Sequence, residues 1–211
     1  MAPACLGCLG ILFNNYRSGN AAQGIFLIAT ILSLGSMIQY GFLFMAVPIL
    51  IIAAMFKCLH LREAFAFLMG LAAPYWIVLG LGLIPLDALV FPQLSNIWQS
   101  SLSHEMMFTG LLNIGFTAVV SLLLGLNNAM KLFAGNLRHQ TFNAAVIVME
   151  FCSVAMMVLD YNNLTAYIVT FYMCAAFQFA NLFALWKIRK PWIPALIICA
   201  IYLTFFIIAV L

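Results

Sequence analysis

From Ala21 to Phe56 the chain runs for 36 residues without a charge. One continuous helix of that length would be about 54 Å long, far more than the ~30 Å of hydrocarbon in a bilayer. The stretch therefore folds back on itself, and Gly35, Ser36, Gln39 and Gly41 supply the break. The basic residues give a separate reason for the same turn. Eight Lys and Arg fall into four clusters: Arg17; Lys57 and Arg62; Lys131 and Arg138; Lys187, Arg189 and Lys190. One crossing between Arg17 and Lys57 would put them on opposite faces of a membrane, and two crossings put them together. With even numbers of crossings between successive clusters, all eight cations share one side. The positive-inside rule makes that side cytoplasmic.

Composition closes off the other classes. Of the residues, 67% are hydrophobic and 6% charged, against about a quarter charged in a soluble domain. Lipid offers the backbone no hydrogen bonds, so spans are helices or a closed barrel. The apolar runs are continuous and exceed the roughly ten residues of an alternating barrel strand, which leaves helices. The expected fold is all-α: a polytopic transmembrane bundle of about seven spans, near residues 21–36, 40–56, 66–84, 106–126, 141–159, 164–186 and 192–211. Pro74 is expected to kink the third span. In the loop over 85–105, Leu94, Ile97, Trp98 and Leu102 recur at helical spacing, as in a short interfacial helix. The stretch Asn127–Gln140 is expected as the largest cytoplasmic loop, and Asp160-Tyr-Asn-Asn163 as a tight outer turn ahead of an extracytoplasmic C-terminus.

Residues 1–20 form an apolar stub and a polar break around Arg17. The first 13 residues are too short to cross, and they lack the basic start and small-residue exit of a cleaved leader. A re-entrant stub, an interfacial segment and the remnant of a longer span all stay open. The six cysteines show no disulfide framework, and Cys5-Leu-Gly-Cys8 is a lone pair without the second pair a zinc site needs. No metal or cofactor is expected. The net charge of +3 comes from sparse loop cations and is no nucleic-acid signal. Gly-x-Ser-x-Gly, His-Glu-x-x-His and P-loop motifs are all missing.

The residues that could carry chemistry are few. Glu150 lies near the middle of the fifth span, where a carboxyl must be neutral, paired or hydrated. Counted from the outer face it lies roughly 13 Å deep. Asn113, Thr117, Tyr172, Tyr202 and Thr204 fall at similar depth, with Gln178 and Asn181 deeper. These intramembrane candidates suit a proton, cation or substrate site, or a hydrogen-bonded tie between helices. Asp87, His104 and Glu105 form an outer-face group with acid–base capacity, or are solvated loop residues. Lys57, Arg62 and Arg138, with His60 and His139 nearby, could hold a lipid phosphate or simply set topology.

The stretch Leu61-Arg-Glu-Ala-Phe-Ala-Phe-Leu-Met-Gly-Leu-Ala-Ala-Pro74-Tyr-Trp places a basic residue before a span carrying a glycine and then a proline. With Arg138 opening a later span, Asp160 at a short turn and Trp192 opening the last, residues 41–211 resemble an uncharacterised family of polytopic inner-membrane proteins from Bacteroidota. The resemblance implies a bacterial cytoplasmic membrane and an unknown activity, and it transfers no catalytic residue. Relative to that family the chain looks short at its N-terminus. The leading functional expectation is a non-enzymatic component of an envelope assembly, with the lipid bilayer, membrane-protein partners or further copies of the chain as its partners. The alternatives are a small transporter or lipid-handling permease using Glu150, and an enzyme on a lipid-linked substrate at His104 and Glu105.

Overall fold

A computed structural model describes residues 1–17, 21–82, 104–132, 137–185 and 192–210. Every regular element among them is helical: α1 (Ala2–Asn14), α2 (Ala22–Ile38), α3 (Gly41–Phe44), α4 (Ala46–Met55), α5 (Leu61–Gly80), α6 (His104–Leu132), α7 (Leu137–Leu159), α8 (Leu164–Leu185) and α9 (Trp192–Val210). A 3₁₀ turn, Tyr161–Asn163, joins α7 to α8. Among the described residues, four stretches are long and apolar enough to cross a membrane: Leu61–Gly80, Gly110–Met130, Leu137–Leu159 and Leu164–Ala184. The surface suits lipid. On α5, Phe65, Leu68, Met69, Trp76 and Ile77 all point outward, Trp76 with 82% of its area exposed. An apolar surface of this extent would drive association in water.

The uncharged stretch turns at Gln39–Tyr40, between α2 and α3. α2 then packs along α5. Gly70 permits this, since a Cβ there would lie 2.6 Å from the Phe26 carbonyl oxygen and 2.7 Å from the Ala29 Cβ. The pair is tied by Ser33 Oγ donating to the Leu71 carbonyl at 2.8 Å and by a 2.6 Å hydrogen bond between Ser36 Oγ and Tyr75 Oη. Pro74 is buried inside α5. The 13-residue α1 packs one face against α2, α4, α7 and α8, with Cys5, Cys8, Leu9 and Leu12 in the core.

The ends of α1 and α4 explain where the cations sit. A helix C-terminus leaves carbonyls without donors and carries partial negative charge. At the end of α4, Lys57 N–H donates to Ala54 O and Cys58 N–H to Ala53 O, both at 3.0 Å, with Lys57 in the left-handed region at φ 56°. This is a Schellman cap with lysine in the place usual for glycine. Arg17, also left-handed at φ 54°, donates its N–H to the Phe56 carbonyl at 3.2 Å. Arg138, in the first turn of α7, caps α1: Nε and Nη2 donate to the Phe13 carbonyl at 3.2 and 2.7 Å, and the guanidinium lies 4.1 Å from the Phe13 ring centre. Arg17, Lys57, Arg62 and Arg138 thus gather at one end of the bundle.

Three boundaries differ from the sequence expectation. α5 begins at Leu61 rather than Ala66, so Arg62 and Glu63 are helical. α6 runs to Leu132 and α7 starts at Leu137, so most of Asn127–Gln140 is helix. The two asparagines suggested a loop, but Asn128 is buried and bonded to α8. The 40–56 span is split at Met45 into α3 and α4. The expected interfacial helix over 94–102 lies outside the described residues.

Gly70→Ala should lower stability by about 1–3 kcal/mol, because backbone on the facing helix cannot yield as a side chain would. Lys57→Gly should raise it by about 1 kcal/mol by relieving the left-handed penalty. Thermal unfolding in detergent reads both.

Candidate functional site: a polar seam between α6, α7 and α8

The inward stripe of α6 is small and polar. Asn113, Thr117, Ser121, Gly125 and Asn128 recur every three or four residues, which places them on one face. Thr117, Ser121 and Asn128 are buried, while Val119, Leu122, Leu123 and Leu126 face outward. On α7, Asn143 and Glu150 are seven residues apart and both buried. α8 adds Tyr172 and Gln178. The three helices pack on one another, so these side chains meet along a common line. Gly125 lets α7 approach, since a Cβ there would lie 3.0 Å from the Ile147 side chain. Its carbonyl, buried in the α6–α7 contact, accepts Asn143 Nδ2 at 3.1 Å.

Toward the far end the seam is tied together. Tyr172 Oη donates to Asn113 Oδ1 at 3.2 Å. Thr117 Oγ1 donates to the Asn113 carbonyl at 2.8 Å and lies 3.0 Å from Tyr202 Oη on α9. Toward the basic end, Asn128 Nδ2 donates to the Gln178 carbonyl at 3.1 Å and to its Oε1 at 3.2 Å. Between and below these ties lie polar atoms with no hydrogen-bond partner among the described residues: Ser121 Oγ, both oxygens of Glu150, Asn128 Oδ1, Asn143 Oδ1 and Gln178 Nε2. Among the described residues, every orphaned buried side-chain polar atom belongs to this seam. Glu150 is 5% exposed. Ser121 faces its carboxyl across the α6–α7 contact, although the two make no hydrogen bond of normal geometry. Glu150 also forms part of the wall of a cavity of about 310 Å³ between α6 and α7, whose other walls are Ala118, Val119, Leu122, Leu123, Ile147, Phe151 and Val154.

Of the intramembrane candidates, Asn113, Thr117, Tyr172 and Tyr202 are brought together without Glu150. Gln178 pairs with Asn128, and Thr204 bonds back to Ile201 O at 2.6 Å. Ser121, Asn128 and Asn143 were not singled out from sequence. For Ser121 and Asn128 the signal was the periodicity of polar residues along α6, and for Asn143 its place seven residues before Glu150 on α7; both show only when polar residues are read along one helix rather than by depth. Lys57 and Arg62 are exposed at the basic end, whereas Arg138 is engaged by α1. His60 lies 3.7 Å from the buried Glu63. Asp87 lies outside the described residues; His104 and Glu105 open α6, and their side chains are outside them too. Among the described residues no group of three His, Cys, Asp or Glu side chains could hold a metal.

A second cluster, at the end opposite the cations, also escaped the sequence reading. Asp160, fully buried, accepts Tyr40 Oη on Oδ1 at 2.9 Å, and Tyr167 Oη and Asn163 Nδ2 on Oδ2 at 2.9 and 2.8 Å. Gln39 Nε2 donates to Asn163 Oδ1 at 2.7 Å. Gly41 fits closely here, a Cβ falling 3.0 Å from Tyr167 Oη. The carboxylate thus latches the α2–α3 turn to the α7–α8 turn. Comparison with known proteins gives no guide: the chain matches no family model, no curated protein and no solved structure.

Asp160→Ala strands three donors and should cost about 2–4 kcal/mol, whereas Tyr167→Phe removes one bond and should cost about 1 kcal/mol. Detergent unfolding curves should rank the two in that order.

Proposed function

We propose that this chain is a small permease of a bacterial cytoplasmic membrane, crossing about seven times with its basic end in the cytosol and its C-terminus outside. The seam between α6, α7 and α8 serves as a hydrated path from the cytosolic end to Glu150. The orphaned polar atoms carry this reading. Each unserved buried group costs about 1–3 kcal/mol, so Ser121, Asn128, Asn143, Glu150 and Gln178 together would consume roughly the 5–15 kcal/mol that holds a typical protein folded. Water or a solute must serve them, and polar side chains spaced about one helical turn apart suit a file of water. At 1.5 Å per residue, Asn128 lies about 6 Å and Glu150 about 20 Å from the basic ends of their helices. The file would thus reach mid-membrane.

The second reading is a non-enzymatic component of a membrane assembly, associating with membrane-protein partners or with itself. The Asp160 latch favours it, because a fully paired cluster that fixes two turns is what a scaffold needs. A scaffold gains nothing from orphaned polar groups, however, and the permease reading accounts for them.

In a cysteine-free background, Ser121→Cys should react with a membrane-impermeant thiol reagent added from the cytosolic side and not from outside. Val119→Cys, on the lipid face of the same helix, should be inert. Equal inertness at both positions would refute a hydrated seam. Co-purification of a stoichiometric partner together with that inertness would establish the assembly reading. The same labelling applied to Arg17→Cys and Arg62→Cys checks that both lie in the cytosol.

A further inference from the structure

We propose that Glu150 is an exchange site at which a proton and a lipophilic organic cation bind in turn, each excluding the other. This rests on the permease reading and names its class of substrate. Glu150 stands where two environments meet. On one side lie Ser121 and the seam that leads to the basic end. On the other is the cavity of about 310 Å³, walled by aliphatic side chains and Phe151. The ring of Phe151 belongs to a residue that is 67% exposed on the outer face of the bundle, so the cavity communicates with the surrounding lipid. The cavity volume lies at the lower end of the range for small-molecule sites, which are mostly apolar with few polar groups.

The chemistry of the occupant follows from what the walls lack. Among the described side chains of α6, Gly110–Met130, none carries a charge or titrates, and α4 likewise offers none. α8 carries Cys174, with Cys5 of α1 beside it, and Tyr167 and Tyr172, whose hydroxyls are committed to Asp160 and Asn113; on α7 itself the nearest titratable neighbour is Cys152. Among the described residues, the Arg62 and Arg138 positions fall in the first turns of α5 and α7, at the basic end, and Glu150 lies 12 residues, about 18 Å, further along α7 from Arg138, so the ionised carboxyl has no counter-ion of its own. Its charge can be neutralised either by a proton arriving along the seam or by a cation arriving from the lipid. Only a cation with an apolar body suits the aliphatic walls, and Phe151 offers it a π face. A metal ion would find too few oxygen ligands among the aliphatic walls to replace its water shell. Binding of one monovalent cation to the protonated site expels one proton, so the exchange conserves charge. A carboxyl that must alternate between these two ligands cannot also be committed to a protein partner, which fits its two orphaned oxygens.

The test is equilibrium binding of tetraphenylphosphonium to the purified full chain in detergent. The expected result is saturable binding of one cation per chain and release of one proton per cation into a weakly buffered medium. Affinity should fall as the pH is lowered, toward about tenfold per pH unit, as one-for-one competition requires. Glu150→Gln should weaken binding at least tenfold and abolish proton release. Leu123→Trp, which fills the cavity and keeps the carboxyl, should also weaken binding, with helicity by circular dichroism matching the parent. Cys174→Ser and Cys5→Ser should leave the pH dependence in place, since the carboxyl and not a thiol carries the proton. The proposal is overturned by absence of saturable binding to the folded chain, by Glu150→Gln binding like the parent, or by equal competition from neutral triphenylphosphine oxide. Binding with proton release but no pH-driven uptake in proteoliposomes would uphold the site and remove the permease reading. Cytosolic labelling of Ser121→Cys without any cation binding would keep the permease reading and overturn this site.

Discussion

Inside hydrocarbon no solvent supplies a hydrogen bond, so every polar group in this bundle depends on what another part of the chain presents to it. The helices solve that internally along their length, and the remaining difficulty concentrates at their ends and at side chains. The basic end shows the first solution. The C-terminal carbonyls of α1 and α4 are capped from elsewhere in the chain, by the Arg138 guanidinium and by the Arg17 backbone, while Cys58 Sγ donates to Asn15 O at 2.9 Å. The cations that mark one end of the molecule are therefore also capping groups. Charge favourable to a helix terminus is thus gathered at one end of the bundle.

This double duty explains why so much of the architecture was legible in the sequence. All-helical class follows from long uncharged runs, and the turn near residue 40 from the length of the Ala21–Phe56 stretch, because both are consequences of bilayer thickness. The place of α1 was not legible. Thirteen apolar residues fit several roles by length alone, and only packing of Cys5, Leu9 and Leu12 against four other helices puts them in the core. Asn127 and Asn128 misled in the opposite direction, since a polar pair reads as a loop until a buried partner such as Gln178 is in place. Local propensity is a weak guide wherever a tertiary hydrogen bond can outweigh it.

The same limit applies to the sites. Glu150 stood out because an isolated carboxyl in an apolar run is conspicuous on any reading. Its neighbours were sought by depth, and depth picked out Asn113, Thr117 and Tyr172, which pair with one another and not with Glu150, and passed over Ser121, which occupies the same face of α6 one turn further along. Depth specifies a plane through the bundle, whereas contact also requires the azimuth of each helix. Periodicity carries that azimuth within one helix, and the facing of one helix toward another comes only from the fold. Asp160 is the extreme case: its donors Tyr40 and Asn163 belong to different turns, 120 and 3 residues away, and a short acidic turn reads as solvated.

The two polar clusters obey one rule yet differ in what they leave undone. Around Asp160 the donors match the carboxylate oxygens, and the turns they join are fixed. Along the seam the matching is graded. At the far end Asn113, Thr117, Tyr172 and Tyr202 are paired across three helices, and from Ser121 and Glu150 to Gln178 each side chain keeps at least one atom orphaned. Random imperfection would scatter such atoms through the bundle. Their confinement to one line, from the basic end to mid-depth and ending at the carboxyl, instead describes a one-sided polar approach closed off by the paired cluster. That asymmetry needs no catalytic motif. It arises because the inward face of α6 is built of Ser, Thr, Asn and Gly: Asn113, Thr117 and Asn128 reach partners on α8 and α9, whereas Ser121, facing Glu150, reaches none and leaves both groups to be served by something else.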